Sequence, residues 1–241
     1  MERLRLERAA SQLLLRQSTI LDVALDNGFA SHEVFTRAFK RHFGILPRDW
    51  RDRQSAGGLG QHARQPGLSE SATGASISST RLVRMRPIEI AFLRNIGPYD
   101  DIDGTMWARI RDRLAELGRS TDGLPVGIGH DDPWITPPDR LRYDAGWTID
   151  KPLPPESGLG QQTVPGGGYA VTTYVGPFHL IGEAYRIIGE RMAAHADTLD
   201  LGTGGSVEWY RTGSIDDAMY LNQIDITFQA SARAGGPRVL G

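Results

Sequence analysis

Residues 54–80 constrain the fold more than any other part of the sequence. Of these 27 residues, 21 are Gly, Ser, Ala, Thr, Gln or Pro, and only Leu59, Leu68 and Ile77 are bulky and apolar. Such a stretch cannot bury enough apolar surface to offset the entropy of ordering it. It predicts a flexible linker with a reach of about 30 Å, dividing the chain into a head, 1–53, and a body, 81–230, with a short tail, 231–241. The charge divides at the same place. Residues 1–64 carry 11 Lys+Arg against 7 Asp+Glu, and residues 65–241 carry 16 against 22, so any polyanion would meet the head.

The head reads as helix throughout. Leu4, Leu6, Ala10, Leu13 and Leu14 keep helical spacing. Thr19 and Asp22 have capping-box spacing before a short second helix, and Gly28 suits its C-terminal end. Ser31 caps a third helix whose Phe35, Ala38, Phe39 and Phe43 form one apolar face, and Pro47 opens a last turn through Trp50.

The body reads as mixed strand and helix. Ile88, Ile90, Phe92 and Ile96 keep period two, and Ile102, Met106, Ile110, Leu114 and Leu117 keep period three to four. Residues 141–150 alternate apolar and polar as a half-buried strand. A single offset of 79 pairs Ala91 with Ala170, Gly97 with Gly176, Pro98 with Pro177, Tyr99 with Phe178, Ile102 with Ile181 and Thr148 with Thr227. The fold class expected is therefore α+β: an all-helical head and a duplicated strand-helix-strand-strand body with pseudo-twofold symmetry and a concave junction suited to a small molecule.

Several classes are excluded. With no cysteine, disulfides, thiolate zinc sites and cysteine nucleophiles are out, and the chain fits a reducing cytoplasm. Its longest charge-free stretch, Ser157–Gly182, holds seven glycines and two prolines, so no membrane association is expected. His130-Asp131-Asp132 reads as a turn before Pro133, so no metal site is expected. Gly166-Gly167-Gly168 lacks the spacing of a phosphate loop and reads as hairpin geometry.

Helix, glycine-containing turn and helix over Thr19, Gly28 and Ser31 form the helix-turn-helix pattern. In such a unit Arg37 can fork onto a guanine and Glu33 can accept from a cytosine amino group. Thr36, Lys40 and Arg41 can then hold phosphates. From spacing alone, a small bundle with a solvated basic face is equally open. The string from Ile20 to Arg51 resembles the second helix-turn-helix of AraC/XylS-type transcription factors, and RLRLERAASQLLLR before it resembles their linker helix. The resemblance places base contacts on His32, Glu33 and Arg37, phosphate contacts on Thr36 and Lys40, and double-stranded DNA as partner. Family members carry a further helix-turn-helix before the linker helix, so a late start or a decayed regulator is the expectation, and a homodimer is open to it.

In the body, Leu93–Ile102, Gly127–Ile149, Val175–Arg186 and Val207–Thr212 resemble the GyrI-like, or SOUL-like, effector domain. The resemblance implies a groove holding a glutamate with a nearby tyrosine, matching Glu208 and Tyr210, although Arg211-Thr212 replaces the usual Asn-Asp. On a strand, Glu208 and Tyr210 share one face while Val207 and Trp209 share the other. A carboxylate among the rings of Trp107, Tyr143 or Trp147 can hold a cation or, with a raised pKa, act as a general acid or base. Spacing alone leaves a surface glutamate beside core aromatics open, and reads Met106, Trp107 and Tyr185 as core. No cofactor is expected, His130 and His179 being the only candidate haem ligands. The function expected is a ligand-responsive transcriptional regulator sensing a lipophilic small molecule, a cation being one candidate. Alternatives are a hydrolase of cyclopropane-bearing DNA alkylators in which Glu208 activates water, and a free-standing sequestering protein.

Overall fold

The computed structural model describes residues 2–15, 18–55, 75–133, 135–202, 204–212, 222–236 and 238–240. The chain divides into two compact units.

The helical unit contains α1 (Glu2–Leu15), α2 (Ile20–Asp26), α3 (His32–Phe43) and α4 (Pro47–Ser55). Local chemistry sets its boundaries. The Thr19 side chain accepts from the Asp22 N–H and the Asp22 carboxylate accepts from the Thr19 N–H, closing the capping box of α2. Ser31 caps α3 through the Val34 N–H. Between them Gly28 takes a φ of 72°, a left-handed conformation that any side chain would strain. Leu6, Ala9, Ala10 and Leu13 of α1 are buried with Val23, Ala24, Phe35 and Phe39. Phe29, Phe35, Phe39 and Trp50 follow one another at ring separations of 5.2, 5.3 and 5.8 Å. Each phenylalanine so buried contributes about 1.5–3 kcal/mol to the packing of these helices.

The second unit is built on one antiparallel sheet. Its elements in chain order are β1 (Ser76–Ile77), β2 (Thr80–Met85), β3 (Ile88–Ile96), α5 (Thr105–Glu116), β4 (Pro125–Gly129), β5 (Arg142–Thr148), β6 (Gly160–Val164) and β7 (Gly167–Gly176). After these come α6 (Ile181–Ala194), which belongs to this unit through Ile188, then β8 (Leu199–Leu201), β9 (Ser206–Thr212), β10 (Asn222–Ala232) and β11 (Val239–Leu240). The strand order is β11-β2-β7-β10-β9-β4-β5-β3-β6. The strands about the central β9–β4 pair are thus ordered β7-β10-β9 on one side and β4-β5-β3 on the other. Gly97-Pro98-Tyr99 and Gly176-Pro177-Phe178 each turn the chain from a long strand toward a helix, β3 toward α5 and β7 toward α6.

The two faces of the sheet are both occupied. On one, Trp107 of α5 and Tyr185 of α6 reach strand residues Tyr143, Glu208 and Tyr210. On the other, Ile90, Val126, Ile128, Val164, Tyr169, Val171, Val207 and Trp209 form one buried cluster. These residues come from β3, β4, β6, β7 and β9, so the sheet curls until its two ends share a core.

The strand pairing revises several sequence expectations. Residues 142–148 are not half-exposed: Asp144, on the side expected to face solvent, has no exposed surface. Ile96 keeps the period of β3 but is 66% exposed, because it lies at the strand's end beyond the core. The expected linker falls mainly on residues outside the described ones, but its last residues carry β1, whose Ser76 and Ile77 pair with Val175 and Tyr174. The expected tail carries β11, which pairs with Arg81 and Thr80 of β2.

Candidate functional site

Helix α3 presents the head's polar stripe. Glu33, Arg37 and Lys40 are exposed and lie within one face by the 100° turn per residue, opposite Phe35, Ala38 and Phe39. His32 is also exposed. The Ser31 hydroxyl donates to the Glu33 carboxylate at 2.6 Å and holds its pKa below the ordinary value, so Glu33 is an ionised acceptor. Thr36 does not join the stripe as expected from sequence. Its Oγ1 is buried without a partner among the described residues, because position 36 lies at the edge of the buried face, where the hydroxyl is turned toward the helix packing. Arg41 is engaged by Glu2 at 2.6 Å.

The body's site centres on Glu208, only 4% exposed. Three phenols converge on it. Tyr143 and Tyr210 donate to Oε2 at 2.6 and 2.7 Å, and Tyr185 donates to Oε1 at 2.6 Å. Tyr210 arrives because it is two residues along β9 on the same face. Tyr143 arrives from β5 by crossing β4 at Gly127, the residue paired with Glu208. Tyr185 descends from α6 and also contacts Ser206 Oγ at 3.0 Å. Burial, and then the charge of Glu208, hold all three phenols well above the usual tyrosine pKa, so they remain protonated donors.

Aromatic rings wall this cluster. Trp107 stands edge-on to Tyr143 at 6.0 Å and to Tyr210 at 5.5 Å, its indole N–H fixed on the Val126 carbonyl at 2.9 Å. Tyr99 lies 5.8 Å from Tyr143, and Phe178 lies 6.4 Å from Tyr210. Trp107, Tyr143 and Tyr210 are buried, whereas Tyr99, Phe178 and Tyr185 are half-buried.

The structure therefore brings Glu208, Tyr210, Tyr143 and Trp107 together. Trp147 shares their face but pairs across β4 with Pro125, four residues along β5 from Tyr143, and no ring contact joins it to the cluster among the described residues. Tyr185, expected in the core, is instead a partner of Glu208. Helical spacing shows which face a residue occupies, not where its hydroxyl ends. Tyr99 and Phe178 were visible as paired turn residues, but nothing local marked them as wall.

A second buried carboxylate was missed. Asp144 accepts from Arg94 Nε and Nη2 at 2.7 and 2.8 Å, contacts His130 Nε2 at 2.6 Å, and accepts from Gln162 Nε2 at 2.7 Å. Burial opposes its ionisation, but these partners outweigh burial and bring its pKa down to about 2. Asp131 is held by Arg142 at 2.6 Å, so one acid of the expected turn region acts in an ion pair.

Residues 79–216 match the model of the GyrI-like small molecule binding domain, and residues 1–53 match that of a helix-turn-helix domain. The probable transcription factor PqrA of Proteus vulgaris is 46% identical over 48 residues, 20% of this chain and 39% of that protein. The SPbeta prophage-derived regulator YosT of Bacillus subtilis is 32% identical over 85 residues, 35% of this chain and 57% of that protein. The chain thus spans less than two thirds of the length of either relative. The crystal structure of the EcmrR C-terminal domain aligns with a TM-score of 0.49 at 13% identity, covering 65% of this chain and 98% of that one.

Proposed function

Because the chain belongs to the GyrI-like small-molecule-binding family over residues 79–216 and matches a helix-turn-helix domain over 1–53, we propose that the protein is a DNA-binding transcriptional regulator responding to a lipophilic cation. The observation that carries this reading is the buried Glu208 carboxylate, ringed by Trp107, Tyr143 and Tyr210. An ionised carboxylate supplies counter-charge, and aromatic faces supply both apolar area and attraction for a cation. General-base chemistry on Glu208 is the weaker reading, since three of the carboxylate's roughly four acceptor positions already take a phenol hydrogen. We also read the matching turns and strand orders of the body as a duplicated unit.

Glu208→Gln keeps the shape of the side chain and removes its charge. Affinity for a lipophilic cation should fall about ten- to a hundredfold, the worth of one charged contact of about 1.5–3 kcal/mol. Calorimetric titration of wild type and variant tests this, and unchanged affinity would remove Glu208 from the site.

On the head, Arg37 is the residue best placed for bidentate base readout. Arg37→Ala should cost about 1–3 kcal/mol on a specific duplex and relax one base position, whereas Lys40→Ala should weaken all duplexes alike. Thr36→Val should leave DNA affinity unchanged, because the Thr36 hydroxyl faces inward. Equal losses for Arg37→Ala on specific and scrambled duplexes would reject base readout by that residue.

A further inference from the structure

Val34 is the one large apolar side chain of α3 left exposed among the described residues, at 41%. Folding does not account for it. Phe35, Ala38 and Phe39 make the packed face, and a β-branched residue on the solvent side of a helix is less favourable than alanine. Its position is nevertheless closely fixed. Its N–H donates to the Ser31 hydroxyl at 3.3 Å in the cap that starts α3, and that hydroxyl donates to the Glu33 carboxylate at 2.6 Å. Within a helix valine keeps essentially one χ1 rotamer, so its two methyl groups point in a set direction and lose little freedom on contact. Arg37, one turn further on, lies about 4.5 Å along the axis and about 60° around it. With Lys40 and Arg41 it makes the exposed side of α3 cationic. An apolar protein surface would have to desolvate those cations to reach Val34, whereas a duplex brings phosphates to them.

We propose that Val34 is a specificity-determining residue that reads the 5-methyl group of a thymine in the major groove, one base pair from the guanine read by Arg37. The proposal rests on reading α3 as the recognition helix and goes one residue past it. Among the groups that base edges present in the major groove, the thymine methyl is the apolar one. A valine with no hydrogen-bonding atom in its side chain has nothing else there to recognise. The axial spacing from Arg37 is closer to one base-pair rise of about 3.4 Å than to two. Covering one methyl group is worth about fourfold in affinity. That is small beside a bidentate arginine contact, but it separates thymine from cytosine, which carries a hydrogen at the same carbon.

The test uses two random-sequence duplex libraries, one with thymine and one with uracil in its place, since uracil pairs identically and lacks only the methyl group. The full chain selects from each library. Arg37→Ala marks the guanine position, as the one whose enrichment it removes. One base pair away, wild type should enrich thymine about fourfold, and it should not enrich uracil. Val34→Ser should lose the thymine enrichment and keep that of the guanine. Because the uracil arm uses wild type, a folding defect in the variant cannot mimic the result. The inference is overturned by equal enrichment of thymine and uracil, by no preference at that position, or by thymine enrichment that survives Val34→Ser. It is overturned too if Arg37→Ala relaxes no guanine, since the step then has no anchor. In each of these cases sequence-selective binding by the head still stands. If wild type enriches no sequence at all, the recognition-helix reading falls as well.

Discussion

Replacing Asp144 by alanine is expected to destabilise the body by about 3 kcal/mol, although Asp144 lies outside the Glu208 cluster. Its carboxylate has no exposed surface and satisfies Arg94, His130 and Gln162 at once. Removing one member of a buried pair strands the other and costs about 3–5 kcal/mol. The low end applies because Arg94 keeps 38% of its side chain exposed and regains some hydration. Acid should act in the same direction. The folded pKa is depressed from 3.8 to about 2, so the contribution is complete above about pH 4 and is lost as pH falls through about 2. Linkage makes this worth about 2 kcal/mol. Asp144→Asn cannot titrate, so its deficit relative to wild type should narrow between pH 4 and pH 2 in urea unfolding followed by tryptophan fluorescence. A deficit that stays constant over that range would show that the ion pair does not stabilise the fold. Because Tyr143 and Asp144 are neighbours on β5, loosening this anchor should also weaken the phenol grip on Glu208.

The two buried carboxylates show where sequence reading succeeds and where it stops. Helix boundaries in the head were legible because caps act over three residues: Thr19 with Asp22, and Ser31 with Val34. The shared face of Glu208 and Tyr210 was legible from the period of a strand. Asp144 was not, since alternation shows that its side differs from that of Tyr143 but not whether anything covers it. The covering residues are Arg94, paired with Asp144 on the neighbouring strand β3, and Gln162 on β6 beyond it, 50 and 18 residues away, reached through strand pairing that no local pattern encodes. Trp147 stands apart from the cluster for a simpler reason. Four residues of strand place it about 13 Å from Tyr143 along β5, beyond the reach of a side chain. Tyr185 lies 23 residues from Glu208 in sequence, and only the docking of α6 decides that its hydroxyl ends on a carboxylate. Thr36 shows the same limit at short range, where a wheel places the Cβ at a boundary and packing decides which way the hydroxyl turns.

Gly127→Ala should be the most damaging single-methyl change in the site, at about 3–5 kcal/mol of stability together with at least a tenfold loss of ligand affinity. Tyr143 is anchored on β5, Glu208 on β9, and β4 lies between them. The phenol reaches the carboxylate only by lying across the backbone of β4, and Gly127 is the residue beneath it. A Cβ there would sit 1.8 Å from Tyr143 Oη, 2.7 Å from its Cζ and 2.6 Å from Glu208 Oε2. No such contact can be tolerated, so the ring must move, and overpacking of this kind costs about 1–3 kcal/mol. Its displacement also breaks a hydrogen bond to a buried charge, worth about 1.5–3 kcal/mol. Gly127 has no left-handed φ, so the loss is steric rather than conformational, and a double-mutant cycle isolates it. Tyr143→Phe alone forfeits the hydrogen bond. In the double variant that bond is already gone and the closest clashing atom is absent, so the combined cost should fall well below the sum of the single costs. Strictly additive costs would mean that Gly127 serves something other than the passage of Tyr143 to Glu208. The route by which β5 contributes to the site would then have to be sought elsewhere on the sheet.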